Sequence, residues 1–227
     1  MYRLTLIVAL AALALGCREA PITSVSMQPA TVDTYIPIIR PTSAPAVPPS
    51  SDPAAREVYA AQMETLTDAA YDLDLLLRQT STLDGIAAEL EAGLAALADH
   101  PMVYHAEQVL AAKVLARSEA TPAFVEDAAL LAPHVERLVA YGHPDVSLIQ
   151  PALQRLEGVW SAERVAETAA RSHEAAAAWL VDNPCPGCSQ DLDLPEGADA
   201  VRARTLIAME EALPAMKALA ETATSAD

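Results

Sequence analysis

Apolar residues that recur every three or four positions run through most of this chain. In the first such stretch the steps between apolar positions are 4, 3, 4, 3 and 4, the spacing of a helix that buries one face. The residues concerned are Tyr59, Met63, Leu66, Ala70, Leu73 and Leu77. No stretch of several residues alternates apolar and polar side chains as a half-buried strand does. From Asp52 onward the sequence therefore predicts an all-α fold.

Capping signals divide this region into about six to seven helices. Asp52-Pro53 and Thr121-Pro122 each place a capping side chain directly before a proline, which is well tolerated at the first helical position. Together with the other caps and breaks, they predict helices over about 52–77, 81–100, 101–117, 121–141, 145–157, 161–181 and 196–222. Kinks or restarts are expected at three internal prolines, Pro133, Pro151 and Pro214. Short loops between amphipathic helices are typical of an antiparallel helical bundle, predicted here over residues 52–227.

Residues 17–51 have a different composition, rich in proline and small polar residues. Such a segment favours extended conformations and predicts a tether, with a maximal reach on the order of 100 Å at ~3.1 Å per residue. Five of its residues are unusually apolar for a linker: Val32, Tyr35, Ile36, Ile38 and Ile39. We expect this part to dock on the bundle as an extended strip, the alternative being a segment that binds a partner.

The N-terminus has the layout of a secretory signal. Arg3 precedes a largely apolar run from Leu4 to Leu15, and small residues follow near a cleavage site. A run of about a dozen residues is too short to span the ~30 Å hydrocarbon core of a bilayer comfortably. We therefore predict that residues 1–16 are removed on export.

Ala14-Leu15-Gly16-Cys17 resembles the lipobox of bacterial lipoproteins. The resemblance covers the first seventeen residues only, and Ala14 stands where the motif prefers leucine. It implies cleavage before Cys17 and attachment of lipid to that cysteine. The sorting rule of the family implies the outer membrane, because Arg18 rather than aspartate follows the cysteine. The alternative is an ordinary signal peptide with a chance cysteine.

The remaining cysteines form the motif Cys185-Pro186-Gly187-Cys188. If Cys17 carries lipid, these two are an even pair in an oxidising compartment, where a disulfide that closes the loop is the favoured interpretation. A thiol redox motif is the alternative, although such motifs usually belong to folds that contain strands. Half a zinc site is another, but a second pair of ligands is missing. Haem attachment is excluded, because Ser189 stands where histidine is required.

The chain is strongly acidic. Its formal net charge is −17, and removal of Arg3 with the signal would leave −17 − 1 = −18. Nucleic acid and anionic lipid surfaces are bound through lysine and arginine, so no nucleic-acid partner is expected. Most carboxylates fall off the apolar stripes, and we expect residues such as Glu64, Asp68 and Asp74 on solvated helix faces. Lys113 and Lys217 are the two lysines of the chain.

Motifs that would indicate an enzyme are missing from the sequence. It contains neither a Gly-rich phosphate loop nor a Gly-x-Ser-x-Gly elbow, and no histidine has a glutamate three residues before it. No catalytic residue, metal or cofactor is therefore assigned. Surface or capping roles are expected for all five histidines. His105, His134 and His173 are the candidates for a metal site assembled from different helices.

These patterns together favour an envelope protein that acts as a binding or assembly module through its helical bundle. Its expected partners are a membrane, through the N-terminal lipid, and another envelope protein. Two alternatives stay open. One is a metal- or cofactor-binding bundle, and the other is a redox role for the loop with Cys185 and Cys188.

Overall fold

Helices make up the regular structure of the chain in a computed structural model, which describes residues 35–184 and 198–222. Seven α-helices and two 3₁₀ turns occur in these residues, and no strand. The α-helices are α1 (Pro53–Gln79), α2 (Ala87–Ala96), α3 (Val103–Ala120), α4 (Ala132–Ala140), α5 (Val146–Leu156), α6 (Ala162–Asp182) and α7 (Ala198–Glu221). The predicted all-α bundle of about six to seven helices is confirmed.

Helix α5 lies at the centre of the main core and packs against α3, α6 and α7. It begins at Asp145, whose carboxylate accepts a hydrogen bond from the backbone N–H of Ser147 at 3.2 Å. Six of its residues are buried: Val146, Leu148, Ile149, Ala152, Leu153 and Leu156. The restart considered at Pro151 does not occur, because the helix continues through this proline to Leu156.

Helix α1 packs against α2 and α3 with the stripe that its sequence predicts. Leu66 and Leu77 are buried, and the other four residues of the stripe are partly buried. The Asp52 carboxylate accepts a hydrogen bond from the backbone N–H of Ala55 at 3.1 Å, which confirms the predicted cap. At the other end, the Arg117 guanidinium of α3 donates to the backbone carbonyls of Leu77 and Thr80. These contacts satisfy carbonyls that have no partner within the helix.

Two predicted helix boundaries are wrong. The single helix expected over 121–141 is two 3₁₀ turns, Pro122–Phe124 and Ala128–Leu131, followed by α4. Pro133 lies in the first turn of α4, where a missing N–H costs nothing, so it starts this helix instead of kinking a longer one. The second helix begins six residues later than Ser81, at Ala87. Before it, the Leu83 N–H donates to the carbonyl of Phe124 at 2.7 Å, which ties this loop to the first 3₁₀ turn.

The apolar strip of the predicted tether docks on the bundle as expected, and we call residues 35–39 the strap. Ile36 packs against the main core, Pro37 is buried, and both backbone polar groups of Ile39 bond to Gln108. Val32 and the three cysteines, Cys17, Cys185 and Cys188, lie outside the described residues. Among the helices that the structure describes, none combines the length and apolar character needed to cross a bilayer.

Candidate functional site

A groove of about 320 Å³ lies between α1 and α3 and is the best candidate for a binding site. We call it the α1–α3 groove. Apolar side chains from both helices form much of its lining: Leu66, Ala70, Ala106 and Val109. Tyr71 stands at its edge with 63% of its surface exposed. An apolar concavity with a few convergent polar groups is typical of ligand sites.

The polar groups of this groove centre on Asp74. The Lys113 Nζ lies 2.9 Å from Asp74 Oδ1, and the Arg78 Nη2 lies 2.7 Å from Oδ2. Asp74 is only 7% exposed, so its expected place on a solvated face is wrong. A buried carboxylate needs partners of opposite charge, and here two cations surround one anion. The charged residues that line this end, Asp74, Arg78 and Lys113, therefore sum to a formal charge of +1, on a chain whose formal charge is −17.

The three histidines considered as metal ligands lie on three different helices. His105 of α3 lines the α1–α3 groove, where burial lowers its pKa. His134 lies on α4 and His173 on α6. In residues 35–184 and 198–222, no group of three or more histidine, cysteine, aspartate or glutamate side chains is arranged to hold a metal ion. The described part of the chain thus offers no support for the metal-binding alternative.

A charged network joins α2, α3 and α4. The Arg137 Nη2 lies 2.9 Å from Glu91 Oε2, and its Nε lies 3.5 Å from Glu107 Oε1. The Tyr141 hydroxyl donates to the other oxygen of Glu107, and burial together with this carboxylate raises the Tyr141 pKa to about 12. Tyr141 therefore keeps its proton at neutral pH. Because these groups satisfy one another, we interpret the network as structural.

Two histidines are buried, which corrects the expectation of surface or capping positions. His134 is 3% exposed, and burial lowers its pKa to about 4 with Arg137 adding to the effect. His143 is fully buried in the turn before α5, and burial lowers its pKa to about 4 as well. The backbone N–H of Asp145 donates to His143 Nδ1 at 3.2 Å. Both histidines are therefore neutral at physiological pH.

The turn that carries His143 depends on Gly142. This glycine has a φ of +66°, a left-handed conformation that side chains disfavour. Three residues later, Asp145 is also buried, at 1% exposure. The Asp145 carboxylate accepts from the Ser147 hydroxyl at 2.5 Å, but burial raises its pKa to about 6. The sequence predicted the turn and the helix cap at Asp145 correctly, but it did not predict that the turn is buried.

A second groove of about 380 Å³ lies between α4 and α6. Its charged lining is balanced, with two carboxylates and two guanidinium groups: Glu136, Glu167, Arg164 and Arg171. The guanidinium of Arg164 pairs with Glu136 and lies 4.1 Å from the centre of the Trp160 ring. Since its charges cancel, this groove offers no preference for a ligand of either sign.

Comparison of the chain with protein-family models, with curated proteins and with solved structures finds no match. The α1–α3 groove is the stronger candidate of the two, because it combines an apolar lining with an unbalanced charge. Sequence reasoning missed it, since Asp74 and Lys113 meet only when α1 and α3 are packed in register.

Proposed function

We propose that this chain is an envelope lipoprotein, anchored through lipid on Cys17, that binds a protein partner through the α1–α3 groove. The anchor is inferred from the sequence alone. The observation that carries the binding role is the groove, with its apolar lining and its cationic end on an acidic chain. The absence of catalytic motifs from the sequence agrees with a binding role.

The groove favours a partner segment with an apolar side chain beside a carboxylate. The apolar group would contact Leu66, Ala70 and Val109, and the carboxylate would lie near Lys113 and Arg78. An amphipathic helix that lays one face into a groove is a common mode of this kind. Tyr71 at the rim suits such an interface, because aromatic residues contribute disproportionately to binding energy.

A photo-crosslinking residue at Thr67, in the groove, tests this proposal in cells that produce the full chain. We expect a discrete crosslinked protein, reduced about tenfold by Lys113→Gln because a cation is lost, in line with the ~1–3 kcal/mol typical of a charge-assisted contact. Lys113→Arg, which keeps the charge, should restore the product. The products are identified by mass spectrometry.

The matched control places the same crosslinker at Thr168, which lines the α4–α6 groove. We expect no product of the same mass from that position. Equal yields from Thr67 and Thr168, no product at all, or a yield that ignores Lys113→Gln would each contradict binding through the α1–α3 groove.

Mass spectrometry of the native protein tests the anchor separately. The expected mature chain begins at Cys17, carries acyl groups on that residue and lacks residues 1–16. A Cys17→Ser chain should carry no acyl groups and should remain unprocessed by the lipoprotein pathway. An intact, unacylated N-terminus at Met1 in the wild-type protein would contradict the anchor without bearing on the groove.

A further inference from the structure

The strap occupies a second site on the bundle. One side chain, that of Gln108, forms hydrogen bonds with the backbone of the strap. The Ile39 N–H donates to Gln108 Oε1, and the Ile39 carbonyl accepts from Gln108 Nε2, both at 2.8 Å. Nε2 also donates to the carbonyl of Tyr104 at 3.0 Å. The Gln108 amide thus forms two hydrogen bonds with one strap residue, as a neighbouring strand would. It contacts the backbone N–H and C=O, a pair of groups that every residue except proline carries.

Gln108 holds the strap through both ends of its amide. With the strap in place Gln108 is fully buried, and losing one of these bonds while it is buried would be costly. The site also provides pockets for side chains, since Ile36 packs against the main core and Pro37 is buried. At the start of the strap, the Arg202 guanidinium of α7 lies 5.9 Å from the centre of the Tyr35 ring, within cation–π range.

His143 lies beneath Pro37. Its ring is fully buried, and the Pro37 carbonyl acts on it, opposing the effect of burial on its pKa. Within the described residues, His143 Nε2 has no hydrogen-bond partner of standard geometry. The strap therefore covers a polar group of the turn before α5 as well as the amide of Gln108.

We propose that this site recognises a short apolar peptide, that the strap is its ligand in cis, and that a free peptide of the same pattern replaces the strap. The pattern is an aromatic residue, an apolar residue, a proline, and then a residue with a free N–H two positions later. The ligand is a peptide segment of a protein, read through its backbone at Gln108 and through apolar side chains elsewhere.

The segment between the strap and α1 permits such an exchange. Its backbone hydrogen bonds at Ala44 and Asp52 go to the carbonyls of Pro41 and Pro49, within the segment itself. Val47 in this segment is 57% exposed. The strap can therefore leave without disturbing the cap of α1. While it stays, it competes at an effective concentration in the millimolar range, which weakens the binding of any free peptide.

Two variants of the full chain test the two sides of this contact, one by changing the strap and the other by changing the site that binds it. Ile39→Pro removes the N–H that Gln108 accepts, so it weakens the strap and leaves the site intact. Gln108→Glu replaces the donor that the Ile39 carbonyl needs, so it damages the site. The probe is a fluorescent synthetic peptide of residues 33–41, and its binding to the detergent-purified chain is followed by anisotropy.

We expect Ile39→Pro to bind the peptide at least about tenfold more tightly than the wild-type chain, because the competing strap is weakened. Adding Gln108→Glu should abolish this gain. Val47→Ser, a change at an exposed position of the same segment, should behave as the wild type. A peptide with proline at the position of Ile39 should bind Ile39→Pro at least tenfold more weakly than the native peptide.

This last comparison uses one folded protein and two peptides, so it stands even where Gln108→Glu fails to fold. Equal affinities of the wild-type and Ile39→Pro chains would overturn the proposal. So would equal affinities of the two peptides, because backbone recognition by Gln108 could not then explain the binding.

Discussion

Replacing Phe124 by alanine is expected to lower the free energy of unfolding by about 3–5 kcal/mol, the range for truncating a buried aromatic residue. Phe124 is the one phenylalanine of the chain and is fully buried. The Arg117 guanidinium lies 4.3 Å from the centre of its ring. Because that guanidinium also bonds to the carbonyl of Leu77 at the end of α1, losing the ring would loosen this junction as well.

Urea unfolding followed by far-UV circular dichroism measures the effect. Phe124→Leu keeps an apolar side chain of similar reach and should cost clearly less than alanine. Val181→Ala is the control, since Val181 is 79% exposed and its truncation should stay within about 0.5 kcal/mol. A loss below about 1 kcal/mol for Phe124→Ala would show that the core around residue 124 is less tightly packed than the structure indicates.

The parts of the fold that could be predicted are those with local causes. Helix α6 begins after Ser161, whose hydroxyl accepts from the Arg164 N–H at 3.2 Å, three residues along the chain. Its buried residues include Val165, Ala169 and Ala176, which are four and seven residues apart and therefore share one face. An apolar stripe and a cap lie within one helix, so the sequence contains all the information needed to predict them.

The region before α4 could not be predicted because its structure depends on distant residues. The Arg155 guanidinium of α5 donates to the carbonyls of Val125 and Ser118, which ties the 3₁₀ region to two helices. The Asp127 carboxylate accepts from the Ala129 N–H at 2.9 Å and starts a new turn there. Phe124, Leu131, Val135 and Leu138 are buried at helical spacing, but this spacing could not reveal that the backbone is interrupted.

The site that holds the strap also has one part that could be predicted from the sequence and another part that could not. The strap was predicted to dock, since apolar residues in a proline-rich linker are anomalous in any sequence. Its partner Gln108 was not identified, because a glutamine on a helix has no signal for burial. The burial of His143 and Asp145 was not predicted for the same reason, since it follows from the strap and from packing around α5.

Acidification from pH 6.5 to pH 4 is expected to lower the stability of the protein. His134 and His143 have pKa values of about 4 when folded and 6.5 when exposed. Between these values the unfolded chain binds more protons than the folded chain, so stability falls as the pH falls. At about 1.36 kcal/mol per pH unit, each histidine accounts for on the order of 3 kcal/mol over this range.

Asp145 acts in the opposite direction. Its pKa is about 6 when folded against 3.8 for the exposed group, so the folded chain binds the extra proton in that window. Acidification through it therefore stabilises the protein, again by on the order of 3 kcal/mol. Two histidines outweigh one aspartate, which leaves a net loss on the order of 3–4 kcal/mol between pH 6.5 and pH 4.

Single variants distinguish the effect of the histidines on stability from the opposite effect of Asp145, when urea unfolding is compared at pH 7 and pH 4.5. His134→Leu removes a buried Nδ1 that has no partner among the described residues, and it should flatten the pH dependence. Asp145→Asn keeps a capping side chain and should steepen it, since the opposing titration is lost. Other carboxylates contribute equally to wild type and variants, so the difference in slope isolates each group. Unchanged slopes would mean that these groups titrate as if exposed, and would contradict the pKa shifts of the buried groups.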